Sequence, residues 1–151
     1  MNDTENMVKA RLSDDANHTE TVWATPVGLN LYCLDNSPFF AYGVSWQDVV
    51  EAKPDQHGVL EFLRCVKKSG NRTLRLIFQD CRSTDLGAQE ILQGLRDLRC
   101  SYEGLQPRMI SINVPADVDL SAVTGFLRRQ SGLQWEYADP TYDQVTAGPI
   151  N

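Results

Sequence analysis

Histidine is almost missing from this chain: 151 residues hold only His18 and His57. Neither stands at a spacing that would serve a neighbouring nucleophile or metal ligand. Cysteine occurs at 33, 65, 81 and 100, too widely spread for a Cys-x-x-Cys redox motif or a zinc knuckle, so four thiols of a reducing compartment are expected. Basic residues are outnumbered 14 to 20, giving a net charge of -6. That balance excludes a protein that tracks nucleic-acid phosphates, and Lys67-Lys68 and Arg128-Arg129 are scattered pairs rather than a patch. No run nears the ~20 apolar residues that cross a bilayer. The stretch Met1 to Glu20 has neither a basic n-region nor an apolar core, so a cytoplasmic setting with no membrane association is expected. Internal repeats and low-complexity runs are also lacking. No cofactor motif and no His/Cys/carboxylate cluster at ligand spacing is present, which leaves cofactors and metals unassigned.

What the chain has in excess is aromatic residues in one place. Phe39, Phe40, Tyr42 and Trp46 fall within eight positions of the segment Asp35 to Val50, behind an Asn36-Ser37-Pro38 turn signal. Rings this dense exceed the apolar patch that a monomer usually exposes, so they fill a core or meet a partner. The core version has Phe39, Phe40 and Trp46 plugging a β unit; the partner version puts Tyr42 or Trp46 on an exposed rim.

The rest reads as two halves. Residues 1–18 lack periodicity and are read as a flexible arm. Alternation gives strands at Thr19–Thr25 and Leu29–Leu34, then a Ser45–Asp48 capped turn, a short strand to Ala52, and a longer strand over Val59–Lys68. Residues 19–70 are thus a small antiparallel β unit. Thr73–Phe78 is a strand. Ser83 or Thr84 would cap a helix with a stripe of Leu86, Ile91, Leu92, Leu95 and Leu98. Strands at Ser101–Leu105, with Glu103 pointing outward, and at Arg108–Val114 follow. A helix from Asp119 or Ser121 and a strand over Leu133–Tyr137 complete the unit at 71–138, with residues 139–151 as a tail. The order strand–helix–strand–strand–helix–strand predicts an α+β fold whose second half is ferredoxin-like, with helices on one sheet face and Leu74–Phe78 parallel to Ile110–Val114.

The run Leu34-Asp35-Asn36-Ser37-Pro38-Phe39-Phe40-Ala41-Tyr42-Gly43-Val44-Ser45, with Asp48-Val49-Val50-Glu51-Ala52, resembles the signature of a small bacterial family, domain of unknown function 4265. Ser69-Gly70-Asn71-Arg72-Thr73-Leu74-Arg75 is similar to it as well, except that Asn71 stands where the family has histidine. The resemblance spans Thr21 to Tyr137. It implies a domain and carries no activity with it.

Among candidate sites, Cys81 in Asp80-Cys81-Arg82-Ser83-Thr84-Asp85 is the candidate reactive thiol, since a helix N-terminus and a guanidinium lower a thiol pKa. No base accompanies it, so no catalytic residue is assigned and the balance leans away from an enzyme. Asp35, Tyr42, Trp46 and Asp48 form the candidate partner-binding set, carboxylates beside an aromatic anchor. The expected function is a non-catalytic cytoplasmic binding protein that masks a basic protein partner, as an immunity protein masks a toxin. The alternative is a regulatory module that binds a small ligand, for which Ser69-Gly70-Asn71-Arg72 offers the one anion-like pocket.

Overall fold

The computed structural model describes residues 7–13 and 19–147. Strands β1 (Val8–Ser13), β2 (Thr19–Gly28), β3 (Leu31–Leu34), β4 (Val49–Pro54) and β5 (Leu60–Lys67) close into a barrel. Neighbours pair antiparallel in sequence order, and a parallel pairing of β1 with β5, Ala10 against Leu60 and Arg11 against Glu61, seals it. Closure removes the open edge strands that a small open sheet would expose. Strand β1 corrects the reading of residues 1–18 as a flexible arm. Val8, Ala10 and Leu12 alternate with Lys9 and Arg11, a signal too short to stand out until β2 and β5 pair with it, and Ala10 and Leu12 are buried in the barrel core. His18 lies outside the described residues.

The β5 strand is also rearranged relative to simple alternation. Its register against β4 jumps twice, skipping Leu63 and Val66. Each bulge inserts one residue and reverses the facing of those that follow. Phe62 and Cys65 therefore both pack on the core, while Leu63 and Val66 face outward.

The second half is a four-stranded sheet in the order β7 (Ser101–Leu105), β8 (Met109–Val114), β6 (Arg72–Phe78), β9 (Leu133–Asp139). Helix α1 (Leu86–Asp97) links β6 to β7, α2 (Leu120–Arg128) links β8 to β9, and α3 (Tyr142–Thr146) follows the last strand. All three pairings in this sheet are antiparallel. The predicted ferredoxin-like α+β fold is therefore corrected. Nine strands stand against three helices among the described residues, with a closed five-stranded barrel joined to a second sheet. Leu74–Phe78 and Ile110–Val114 are adjacent but antiparallel. The parallel reading had the adjacency right and the direction wrong, because β8 runs back antiparallel from β7. Helix α1 carries the chain past one strand position, and β8 returns into that gap.

Two faces of this sheet differ sharply. Leu74, Leu76, Phe78, Ile110, Ile112 and Val114 share a buried cluster with Ala88, Leu92 and Leu95 of α1 and Val123 and Leu127 of α2. The opposite face carries Thr73, Arg75, Ser111 and Asn113, which are polar and still buried. Something must cover them, because a buried polar group without partners is costly. The helix caps differ in one respect from expectation: α1 is capped at Asp85, without a side-chain cap bond, rather than at Ser83 or Thr84. Asp119 caps α2 and accepts from the Ser121 amide.

Candidate functional site

The cover is the aromatic segment itself. Between β3 and β4 the chain leaves the barrel, crosses the polar face of the sheet and returns. Its backbone is held by side chains from both units. Ser111 Oγ donates to the Pro38 carbonyl at 2.8 Å, and the buried Arg75 guanidinium donates to the carbonyls of Phe39 and Ala41. From the barrel, the Glu20 carboxylate accepts the amides of Phe39, Phe40 and Ala41 at 2.8, 2.6 and 2.9 Å. From the sheet edge, Glu103 accepts the Ser37 amide at 2.5 Å and the Asn36 side chain at 3.0 Å. Glu103 is thus a clamp on the segment rather than an outward residue. Gly43 sits at φ 80, where a side chain would be strained, and its amide reaches the Ala138 carbonyl at 2.9 Å.

The rings do not plug the barrel. Ala41 and Val44 enter its core, whereas Phe39, Phe40 and Trp46 are half-buried and Tyr42 is 51% exposed. Small residues fit a five-stranded interior that already holds Leu12, Leu34 and Val50; large rings stay on the rim.

A second anchor lies where barrel, segment and sheet meet. Asp48 is fully buried; its Oδ2 accepts the Ser45 amide at 2.9 Å and its Oδ1 the Ser69 amide at 2.8 Å. Lys68 donates to Asp48 Oδ2, to Asp139 Oδ2 at 2.5 Å and to the Gly43 carbonyl at 2.9 Å. Ser45 Oγ lies 2.6 Å from both Asp139 Oδ2 and Thr73 Oγ1. Burial by itself would lower the Lys68 pKa, but Asp139 and Asp48 outweigh it and hold the ammonium above its ordinary value. Desolvation, reinforced by Asp48, pushes the neighbouring Cys65 thiol up. A serine, a lysine and two aspartates resemble catalytic parts. Ser45 is fully buried, and the cluster is a joint that ties segment, barrel and sheet together.

The sequence-selected residues therefore separate. Asp35 and Trp46 sit together, with Trp46 Nε1 3.5 Å from Asp35 Oδ1, in a cleft against β7 and β8. Tyr42 lies toward β9, its hydroxyl donating to the Glu136 carboxylate at 2.9–3.0 Å and its ring 4.7 Å from the Arg75 guanidinium carbon. Asp48 is withdrawn into the joint and presents nothing to a partner. Cys81 is half-buried, five residues ahead of α1 rather than at its first turn, and lines a hollow of about 290 Å³ with Ile91 and Phe126. The side chains proposed for an anion pocket are turned onto backbone carbonyls, although Arg72 Nε has no partner among the described residues. Ser69 Oγ and Asn71 Nδ2 donate to the Trp46 carbonyl at 2.8 and 3.0 Å, and Arg72 to the carbonyls of Pro115 and Val118.

Sequence reasoning missed Glu20, Lys68, Arg75 and Asp139. Each is a charged residue in or beside a strand, and only the tertiary contact shows that it faces the loop. One local signal existed: Arg75, alone among the apolar residues of Leu74–Phe78, marks a face that cannot be ordinary core. The two stretches that carried the family resemblance, 34–52 and 69–75, are the ones that meet here.

The model of the family described as Domain of unknown function (DUF4265) matches residues 20–137. The chain belongs to this family. The match begins at Glu20, the residue that cages the segment, and ends at Tyr137, two residues short of Asp139. A search of curated proteins gives no match. Among solved structures, the chain is similar to a hypothetical protein from Neisseria gonorrhoeae at 18% identity, with a TM-score of 0.75 over 90% of this chain and 96% of that one. At that identity the likeness is one of fold. No helix among the described residues is long and apolar enough to cross a membrane.

Proposed function

We propose that the chain is a non-catalytic cytoplasmic binding protein that masks a basic protein partner, in the manner of an immunity or inhibitor protein. The observation that carries the reading is Tyr42. Half of its surface faces solvent, yet its hydroxyl is fixed on Glu136 and its backbone neighbours are tied to Glu20 and Arg75. A large amphipathic ring held in place before binding loses little entropy on association, and tyrosine is enriched among residues that dominate interfaces. The exposed Glu136 and Asp35 and the net charge of -6 favour a partner of opposite sign. The anion-binding form of the small-ligand alternative is not favoured, because its Ser69, Asn71 and Arg72 side chains already donate to backbone carbonyls.

The test is capture of a partner by the tagged chain in its source cells, then binding kinetics of the purified pair at two salt concentrations. Tyr42→Ala is expected to cost about 2 kcal/mol of affinity or more, mainly through dissociation, in a variant that stays folded by circular dichroism at the assay temperature. Affinity equal to that of the unaltered chain defeats the reading.

A further inference from the structure

We infer that the cleft at the β7 edge of the sheet is a binding site for an organic cation, an alkylammonium or guanidinium group. It encloses about 340 Å³, and its walls include Asp35, Ser37, Trp46, Glu103 and Asn113, a size at the small end of ligand pockets. Among the described residues, no lysine, arginine or histidine lines it. Glu103 takes one donor on each carboxylate oxygen, from Asn36 and from the Ser37 amide, and each oxygen retains a second lone pair. Asp35 adds an exposed carboxylate, and the half-buried Trp46 ring offers a π face to a cation.

Two further groups separate this cleft from an ordinary acidic surface. Asn113 and Ser37 are each 3% exposed, and Asn113 Oδ1 and Ser37 Oγ have no hydrogen-bond partner among the described residues. An unpartnered buried acceptor such as Asn113 Oδ1 is costly, so its persistence in a cleft wall points to a donor brought from outside, and the Ser37 hydroxyl can take either role. The cleft's carboxylates and the Asn113 carbonyl oxygen accept hydrogen bonds and its net charge attracts a cation, while the Ser37 hydroxyl and the Trp46 indole N–H can also donate. A guanidinium or ammonium supplies several N–H donors with a delocalised or compact positive charge. An anion meets two carboxylates and is repelled.

This site lies across the sheet from Tyr42, since β7 and β9 are its opposite edges, and the inference does not rest on the occlusion reading. The cation has two sources, a free amine or a basic side chain of a protein. The ¹⁵N-labelled full chain is titrated with agmatine and with acetyl-Gly-Arg-Gly-amide, following the Trp46 indole N–H, which a Trp46→Phe variant assigns. The uncharged control is acetyl-Gly-citrulline-Gly-amide. Saturable shifts with the cations and none with the control are expected. Asp35→Asn should weaken binding by about 1.5-fold to fivefold, the range for an exposed charge pair. Tyr42→Ala should leave the response intact. Saturation by agmatine at lower concentration than by the peptide identifies a free amine as the natural occupant, and the reverse order identifies a basic side chain. Either order supports the site. Absence of saturation with both cations, an equal response to the citrulline peptide, or indifference to Asp35→Asn in a variant with unchanged circular dichroism overturns it.

Discussion

Replacing Lys68 by Met tests whether the joint between barrel and sheet is held by charge. Lys68 is the one cation touching Asp48 and Asp139 among the contacts described, and both carboxylates present Oδ2 to the same ammonium. The Asp48 side chain is 0% exposed and that of Asp139 10%. Removing Lys68 leaves two nearby carboxylates with serine and amide donors but no counter-charge. Stripping one partner from a fully buried pair costs about 3–5 kcal/mol. Lys68 itself is 46% exposed, so water reaches the gap and the loss should be smaller, about 2–3 kcal/mol. For a chain of this size that lowers the melting temperature by about 5–10 °C. Urea denaturation at neutral pH reads the loss directly, and adding Asp139→Asn, which keeps an acceptor for Ser45 and removes one carboxylate charge, to Lys68→Met should recover part of it. The pH limb has a definite sign. Because the folded-state pKa of Lys68 is raised, its contribution is complete below the unfolded value near ~10.4 and is lost as pH rises through the folded one. The unaltered chain should therefore weaken at strongly alkaline pH in a step that Lys68→Met lacks. An unmoved urea midpoint, or the same alkaline step in both proteins, would refute the argument.

Two glycines of α1 should respond in opposite directions. A Cβ on Gly94 would lie 2.3 Å from Phe126 Cζ, so Gly94→Ala should destabilise by about 1–3 kcal/mol despite the better helix propensity. Gly87 has open space around its Cβ position, and Gly87→Ala should gain about 0.5 kcal/mol in the same denaturation assay. Among the thiols, desolvation pushes Cys100 up to about 11, against the opposing pull of Arg72. Cys100 should therefore be the slowest of the four to alkylate near pH 8, as peptide mapping by mass spectrometry would show. Labelling of Cys100 ahead of the half-buried Cys81 would contradict the burial assigned to it.

Local chemistry in the sequence already determined a good deal. Alternation put Val22 and Ala24 on one face of β2 and Thr21 and Trp23 on the other, because a strand's side chains change face at each residue, and the structure buries the first pair. The apolar stripes marked the buried faces of α1 and α2 except at Leu86, which opens α1 and is 78% exposed, and the density of rings after Pro38 singled out the segment around which the molecule is arranged. Tertiary structure decided what local pattern could not encode. Barrel closure depends on β1 meeting β5 some fifty positions away, a pairing with no local signature. The two bulges of β5 reverse its alternation, so a face assigned by counting turns over midway. Above all, a carboxylate reads the same in sequence whether it meets solvent or a buried amine. Asp48 and Asp35 look equally available there. One is sealed beneath Lys68 and the other lines an open cleft, because burial of a charge is set by what folds over it rather than by its own chain neighbours.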